Sequence, residues 1–201
     1  MIAVVDYGIG NLGSIANTIN KLGFKFSITN DPEVIDKSKI IILPGVGSAL
    51  EGMANIKKFN LDEILKDQFR KNKPFLGICL GMQLLFDYSE EGKVVCLGFI
   101  QGRVLKFKLM KKIPQIGWNR VSLKFKGFKY YQGLKDNSYF YFVNSYYCQP
   151  ADKSIVAGIT EYGESFASVI IRNKLLATQF HPEKSGRSGL CLLNNFFKQN
   201  L

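Results

Sequence analysis

Between Ile2 and Asp87, short apolar runs alternate with stretches whose apolar residues recur every three or four positions, and this alternation constrains the fold most. Residues 2–6 read as a strand. Residues 10–22 carry helical spacing through Leu12, Ile15, Ala16, Ile19 and Leu22, and Gly23 stops them. A second strand is expected at 24–29, and a short helix near Pro32 with Asp31 as its cap. A third strand, 39–43, is closed by Pro44-Gly45. Helices follow at 49–57 and 61–71, then a fourth strand at 74–78 and a helix at 80–87. Parallel neighbours need crossover connections, and helices supply them on both faces. The pattern therefore predicts a parallel sheet covered on both sides.

From about residue 94 the texture changes. Short β-rich runs dominate, at 103–108, 139–147, 155–161, 166–172 and 175–180, before an amphipathic helix at 189–199. These predict an antiparallel extension of the same sheet. No internal repeat or linker divides the 201 residues, so one domain, 1–201, is expected. No run of 18 apolar residues is present, so no membrane span is expected. The apolar start without a basic leader reads as a strand rather than a signal peptide. Cys79, Cys96, Cys148 and Cys191 are far apart and form no CxxC pair. That argues against zinc and against a disulfide framework, and for a reducing, cytoplasmic setting. The net charge of +11 comes from scattered lysines, locally dense only at 107–112 and 124–129. It fits a solvated surface, or attraction to an acidic partner, better than a nucleic-acid groove.

Gly8-Ile9-Gly10-Asn11-Leu12-Gly13 matches G-x-G-x-x-G after a strand and before a helix, with Asp31 near the end of the next strand. That is the layout of a dinucleotide-binding turn. The competing reading is a tight strand-to-helix turn that needs glycine for its backbone.

A second turn carries more chemistry. In Gly77-Ile78-Cys79-Leu80-Gly81 a buried strand runs through G-x-C-x-G into a helix. This is the spacing of a nucleophile elbow with cysteine in place of serine. Small residues two before and two after the thiol let strand and helix meet at a sharp turn. Cys79 then sits at the strand's carboxyl end, at a helix N-terminus that favours thiolate. The Leu80 N–H points at a developing oxyanion. The other three cysteines read as structural.

His181 is the one histidine in the chain. It follows the apolar run 175–180 and precedes Pro182, which biases it towards an extended backbone. Glu183 is near enough in sequence to turn its carboxylate onto the imidazole, as the third member of a triad does.

Gly77-Ile78-Cys79-Leu80-Gly81-Met82-Gln83 taken with Gln179-Phe180-His181-Pro182-Glu183-Lys184-Ser185 resembles the class I glutamine amidotransferases. Within them the likeness is greatest to the glutaminase subunits of imidazole glycerol phosphate synthases. Asp6-Tyr7-Gly8-Ile9-Gly10-Asn11-Leu12, Pro44-Gly45-Val46-Gly47, Ile113-Pro114-Gln115-Ile116-Gly117-Trp118-Asn119 and Tyr141-Phe142-Val143-Asn144-Ser145-Tyr146 extend it over nearly the whole chain. The resemblance implies a three-layer α/β fold, flavodoxin-like, with a central mixed, mostly parallel sheet flanked by helices. It implies glutamine hydrolysis through a Cys79 thioester, with His181 and Glu183 as the other catalytic groups. The oxyanion would be held by Leu80 and by Val46 or Gly47. Gln83, Asn144, Ser145 and Tyr146 match substrate-binding positions. Asn11, Trp118, Asn119, Tyr141 and Lys184 match positions at the junction with a synthase, and Gly117-Trp118-Asn119 reads as a turn that brings Trp118, the one tryptophan, to the surface. The implied partner is a cyclase subunit in a heterodimer that receives the ammonia. No cofactor, metal, nucleic acid or membrane is implied. Gln115 stands where the family usually has histidine, Ile116 where methionine is common, and Gln101 where proline is expected. These departures leave open a paralogue that feeds another synthase, such as a sugar-amidinating one.

Overall fold

The computed structural model describes residues 1–108, 112–124 and 128–201. The basic stretches 107–112 and 124–129 thus lie partly outside the described residues. The first half runs β1 (Ile2–Val5), α1 (Leu12–Lys21), β2 (Phe26–Thr29), α2 (Pro32–Lys37), β3 (Ile40–Leu43), α3 (Ala49–Lys58), α4 (Asp62–Arg70), β4 (Phe75–Ile78) and α5 (Leu80–Gln83). The second half runs β5 (Phe86–Ser89), β6 (Val94–Val95), β7 (Ile100–Lys106), β8 (Gln115–Leu123), β9 (Ser138–Asn144), β10 (Tyr146–Pro150), β11 (Val156–Glu161), β12 (Ser165–Arg172), β13 (Leu175–Thr178) and α6 (Gly186–Asn200).

The strands order as β2-β1-β3-β4-β13-β12-β10-β7-β5-β6, and β11, β8 and β9 branch from β12. The block from β2 to β13 is parallel. From β13 outward β12, β10 and β7 pair antiparallel, and β5 lies parallel to β7. Side chains alternate across this sheet. Ala3, Val5, Ile41, Leu43 and Phe75 pack with Ile35, Met53, Ile56 and Leu65 from α2, α3 and α4. Ile2, Val4, Ile40, Ile42, Leu76 and Ile78 pack on the other face with Ile15 and Ile19 of α1 and Leu192, Leu193, Phe196 and Phe197 of α6. That is the three-layer α/β architecture, mixed in strand direction, which the resemblance implies; the helices on both faces are what the alternating first half predicts.

Four local expectations are corrected. The runs at 103–108 and 175–180, expected to extend the sheet antiparallel, each have one parallel neighbour: β7 pairs β5 and β13 pairs β4 in parallel, so β13 closes the parallel block. The helix expected over 80–87 ends after four residues, and Phe86–Ser89 is β5. Leu84, Leu85 and Phe86 are all fully buried, and periodicity cannot separate helix from strand in such a run. The strand expected over 139–147 is two strands, parted at Ser145: β9 pairs β8, while β10 pairs β7 and β12. The turn expected around Gly117-Trp118-Asn119 is the middle of β8. Its sequence, QIGWNRVSL, lacks the β-branched density that marks a strand, and its pairing with β9 and β11 supplies the order instead.

The glycine turn at 8–13 takes positive φ at Gly8 (+80°) and Gly10 (+128°), which fits the steric reading of that motif. Asn11 caps α1 by accepting from the Ser14 N–H at 3.1 Å. Asp31 caps α2 by accepting from the Glu33 N–H at 2.8 Å.

Candidate active site

Cys79 sits between β4 and α5 at φ +52°, ψ −107°, a region that ordinary side chains avoid. Packing holds it there. A Cβ on Gly77 would meet Leu85 Cδ1 at 3.0 Å and Met82 Cα at 3.1 Å, and one on Gly81 would collide with the Leu43 carbonyl oxygen. The Cys79 N–H is tied to the Thr178 carbonyl of β13 at 2.7 Å. The strand–turn–helix context expected of the elbow is therefore present. Its helix is only four residues long, so the helix dipole contributes less than the sequence suggests. Leu80, as the first helical residue, still has an N–H without an intrahelical acceptor.

His181 lies just beyond β13 and opens a one-turn 3₁₀ helix, Pro182–Lys184. That tight turn brings Glu183 back onto the ring, with Nδ1 2.8 Å from Glu183 Oε1. Both side chains are buried, with 3% and 2% of their surface accessible. Burial by itself lowers the imidazole pKa. The Cys79 sulfur, through its charge and a hydrogen bond, outweighs that effect together with Glu183, and His181 is raised to about 10. The imidazole thus lies between the Cys79 sulfur on one side and the Glu183 carboxylate on the other. The other Glu183 oxygen, Oε2, has no hydrogen-bond partner among the described residues.

A pocket of about 220 Å³ opens beside these groups. Val46, Gly47, Cys79, Leu80, Gln83, Asn144, Ser145, Tyr146 and His181 all line it, so the expected nucleophile, oxyanion donors and substrate positions converge. Gln83 Nε2 donates to the Tyr146 carbonyl and to Gln179 Oε1, both at 3.2 Å. Asn144 Nδ2 donates to the Tyr146 carbonyl at 3.0 Å, and its Oδ1 is buried without a partner among the described residues.

The junction positions divide. Trp118 is 55% exposed and packs edge-on against Tyr141, with ring centroids 6.0 Å apart. Ile116 and Val143, a cross-strand pair, continue the same outward face of β8 and β9. Lys184 and Asn11 are exposed. Asn119 alternates to the opposite face from Trp118, and its Nδ2 donates to the Glu161 carbonyl at 2.9 Å.

Sequence reasoning missed three contributors. Glu91 lines the pocket, accepts from the Ala49 N–H at 2.8 Å, and is pushed up by burial, partly offset by that bond. Nothing in the local sequence marks it. Gln179 Nε2 reaches Cys79 Sγ at 3.7 Å. Ser185 Oγ donates to the His181 carbonyl at 2.6 Å and accepts from the Tyr141 N–H at 2.9 Å. The His181 N–H in turn donates to the Tyr141 carbonyl at 2.9 Å. Gln179 and Ser185 lie inside the histidine motif, but only spatial contact shows what they do. Among the described residues no cluster of three or more His, Cys, Asp or Glu is placed to hold a metal, and no helix is long and apolar enough to cross a membrane.

Residues 3–200 match the family model described as Glutamine amidotransferase class-I. Curated relatives include the "Imidazole glycerol phosphate synthase subunit HisH" of Dehalococcoides mccartyi, 48% identical over 100% of this chain and 98% of that protein. Another is the "Imidazole glycerol phosphate synthase subunit HisH 2" of Methanococcus maripaludis, 50% identical over 99% of this chain and 100% of that protein. Among solved structures, PurLQS from Thermotoga maritima superposes with a TM-score of 0.79 at 16% identity, covering 98% of this chain and 97% of that one. The glutaminase domain of Trypanosoma brucei CTPS gives 0.68 at 16% identity, covering 98% and 93%. At such identities these two likenesses speak for the fold alone.

Proposed function

The chain belongs to the class I glutamine amidotransferases, and on that footing we propose that it is the glutaminase subunit of an imidazole glycerol phosphate synthase. Full-length relatives bearing that name at 43–50% identity support the assignment. The observation that carries the chemistry is the meeting of Cys79 and His181 at one pocket, with the Glu183 carboxylate against the far side of the imidazole.

In the proposed reaction, Cys79 sulfur attacks the side-chain amide carbon of glutamine. The amide oxygen becomes an oxyanion, stabilised by the Leu80 N–H and by an N–H from Val46 or Gly47. His181 gives its proton to the amide nitrogen, the C–N bond breaks, and ammonia leaves. A glutamyl thioester remains on Cys79. His181, now neutral, takes a proton from water, whose oxygen attacks the thioester. Glutamate leaves and the Cys79–His181 pair is restored. Glu183 holds Nδ1 throughout and stabilises the imidazolium. Gln83, Asn144, Ser145 and Tyr146 hold the substrate. Glu91, a carboxylate in the pocket wall, is suited to the substrate's α-ammonium.

Free ammonia is protonated in water and loses its nucleophilicity, so it needs a sheltered route. The proposed partner is the cyclase subunit, which makes imidazole glycerol phosphate and AICAR. Its seat is the outward face of β8 and β9, where Ile116, Trp118, Tyr141 and Val143 present an apolar surface whose Val143 also lines the pocket. Asn11 and Lys184 complete the proposed junction.

The test is Cys79→Ala in the full chain with its cyclase. Glutamine hydrolysis is expected to vanish while ammonia-driven synthesis continues. Glutamine turnover at the parent rate would overturn the reading.

A further inference from the structure

The loop Pro44-Gly45-Val46-Gly47 is held at one end and free at the other. Tyr7, just beyond β1, is fully buried and donates its hydroxyl to the Pro44 carbonyl at 2.6 Å. A Cβ on Gly45 would collide with that hydroxyl and come within 2.8 Å of Leu80 Cβ, so the Pro44–Gly45 segment is wedged between Tyr7 and the elbow. Pro44 also fixes its own φ. The next two residues differ. Val46 is 38% exposed, and Gly47, at φ +104°, has its nearest neighbour to a Cβ no closer than Glu51 Oε2 at 4.0 Å. Burial, and then the nearby Cys79 charge, push the Tyr7 phenol well up, so it stays a hydrogen-bond donor.

We propose that Tyr7 is a positioning residue for the oxyanion loop: its phenol pins Pro44 and Gly45 against the nucleophile elbow and confines rotation to the Val46 and Gly47 peptides. The inference rests on the glutaminase reading. Oxyanion donors act only when they sit where the charge develops, and a donor lost outright typically costs about 10²–10³ in rate. A loop that keeps its donors but loses its fixed base loses part of that.

Tyr7→Phe removes the hydroxyl and keeps the ring. Two reactions at Cys79 are compared, in the full chain with its cyclase. Glutamine hydrolysis passes through an oxyanion. Alkylation by iodoacetamide, followed at the Cys79 peptide by mass spectrometry, is a displacement without one. The expected result is a kcat for glutamine about tenfold lower, with KM and the alkylation rate within about twofold of the parent. Alkylation needs the folded elbow, so it also reports that the variant is intact. An unchanged kcat, a loss seen only in KM, or an equal loss in alkylation overturns the proposal. A parent complex that hydrolyses no glutamine overturns the glutaminase reading itself, and this inference with it.

Discussion

The two arms of the site are held by different physics. Cys79 is fixed by steric exclusion: its backbone is strained, and glycines on either side leave no room for a methyl group. His181 has an ordinary extended backbone, φ −94° and ψ 94°, and is fixed by hydrogen bonds. Those bonds run through Ser185 to the Tyr141 backbone of β9, whose outer face is exposed. The first arm is local and stiff. The second is wired to a surface on which a partner can act.

The sharpest way to break the comparison is Gly81→Ala. The added methyl meets the Leu43 carbonyl, so a loss of about 3 kcal/mol or more in urea unfolding is expected, with glutaminase activity gone. A well-folded, active variant would show that the elbow is not held sterically.

Glu183→Gln tests the other arm. The fold should survive, and kcat should fall by about 10²–10⁴ because the imidazolium loses its orienting carboxylate. The same variant sharpens the pH dependence. His181 is raised from 6.5 to about 10, so its protonated form stabilises the fold fully below 6.5, and that contribution disappears as pH rises through about 10. Parent kcat should fall over the same alkaline range as the proton donor to ammonia is lost. In Glu183→Gln both limbs should move to lower pH, and an unmoved profile would sever Glu183 from His181.

Ser185→Ala removes the hydrogen-bonded link to β9. A roughly tenfold loss in kcat, with about 1–2 kcal/mol of stability, is expected from leaving the Tyr141 N–H unpaired. Trp118→Ala should change the isolated chain least, within about 0.5 kcal/mol of stability, since the side chain is 55% exposed. Its effect belongs to the complex, where about 2 kcal/mol or more of binding should be lost by calorimetry. Equal binding would move the partner off this face.

Four strands of the parallel block, β1 to β4, were legible because each is a short run set off by turn residues and a helix of 3.6 period; β13 was not, since it follows β12 by a tight turn and takes its parallel neighbour β4 only in the assembled sheet. The Cys79 elbow was legible for a related reason: its geometry depends on glycines at fixed offsets. The β8 strand was not, since Gln115, Gly117 and Asn119 carry no strand signature and acquire their order by pairing with β9. Glu91 was invisible because its place in the pocket depends on α3 donating the Ala49 N–H, a contact between segments far apart in sequence.

The sequence by itself determined the layered sheet, the strained cysteine turn, and the identity of the imidazole and carboxylate that could serve it, because each depends on residues within a few positions of one another. Tertiary structure decided the rest: the raised imidazole, the wedged oxyanion loop under Tyr7, and the apolar face of β8 and β9. Each arises where distant strands meet, and burial, charge and pairing there are properties of the assembled sheet rather than of any one segment.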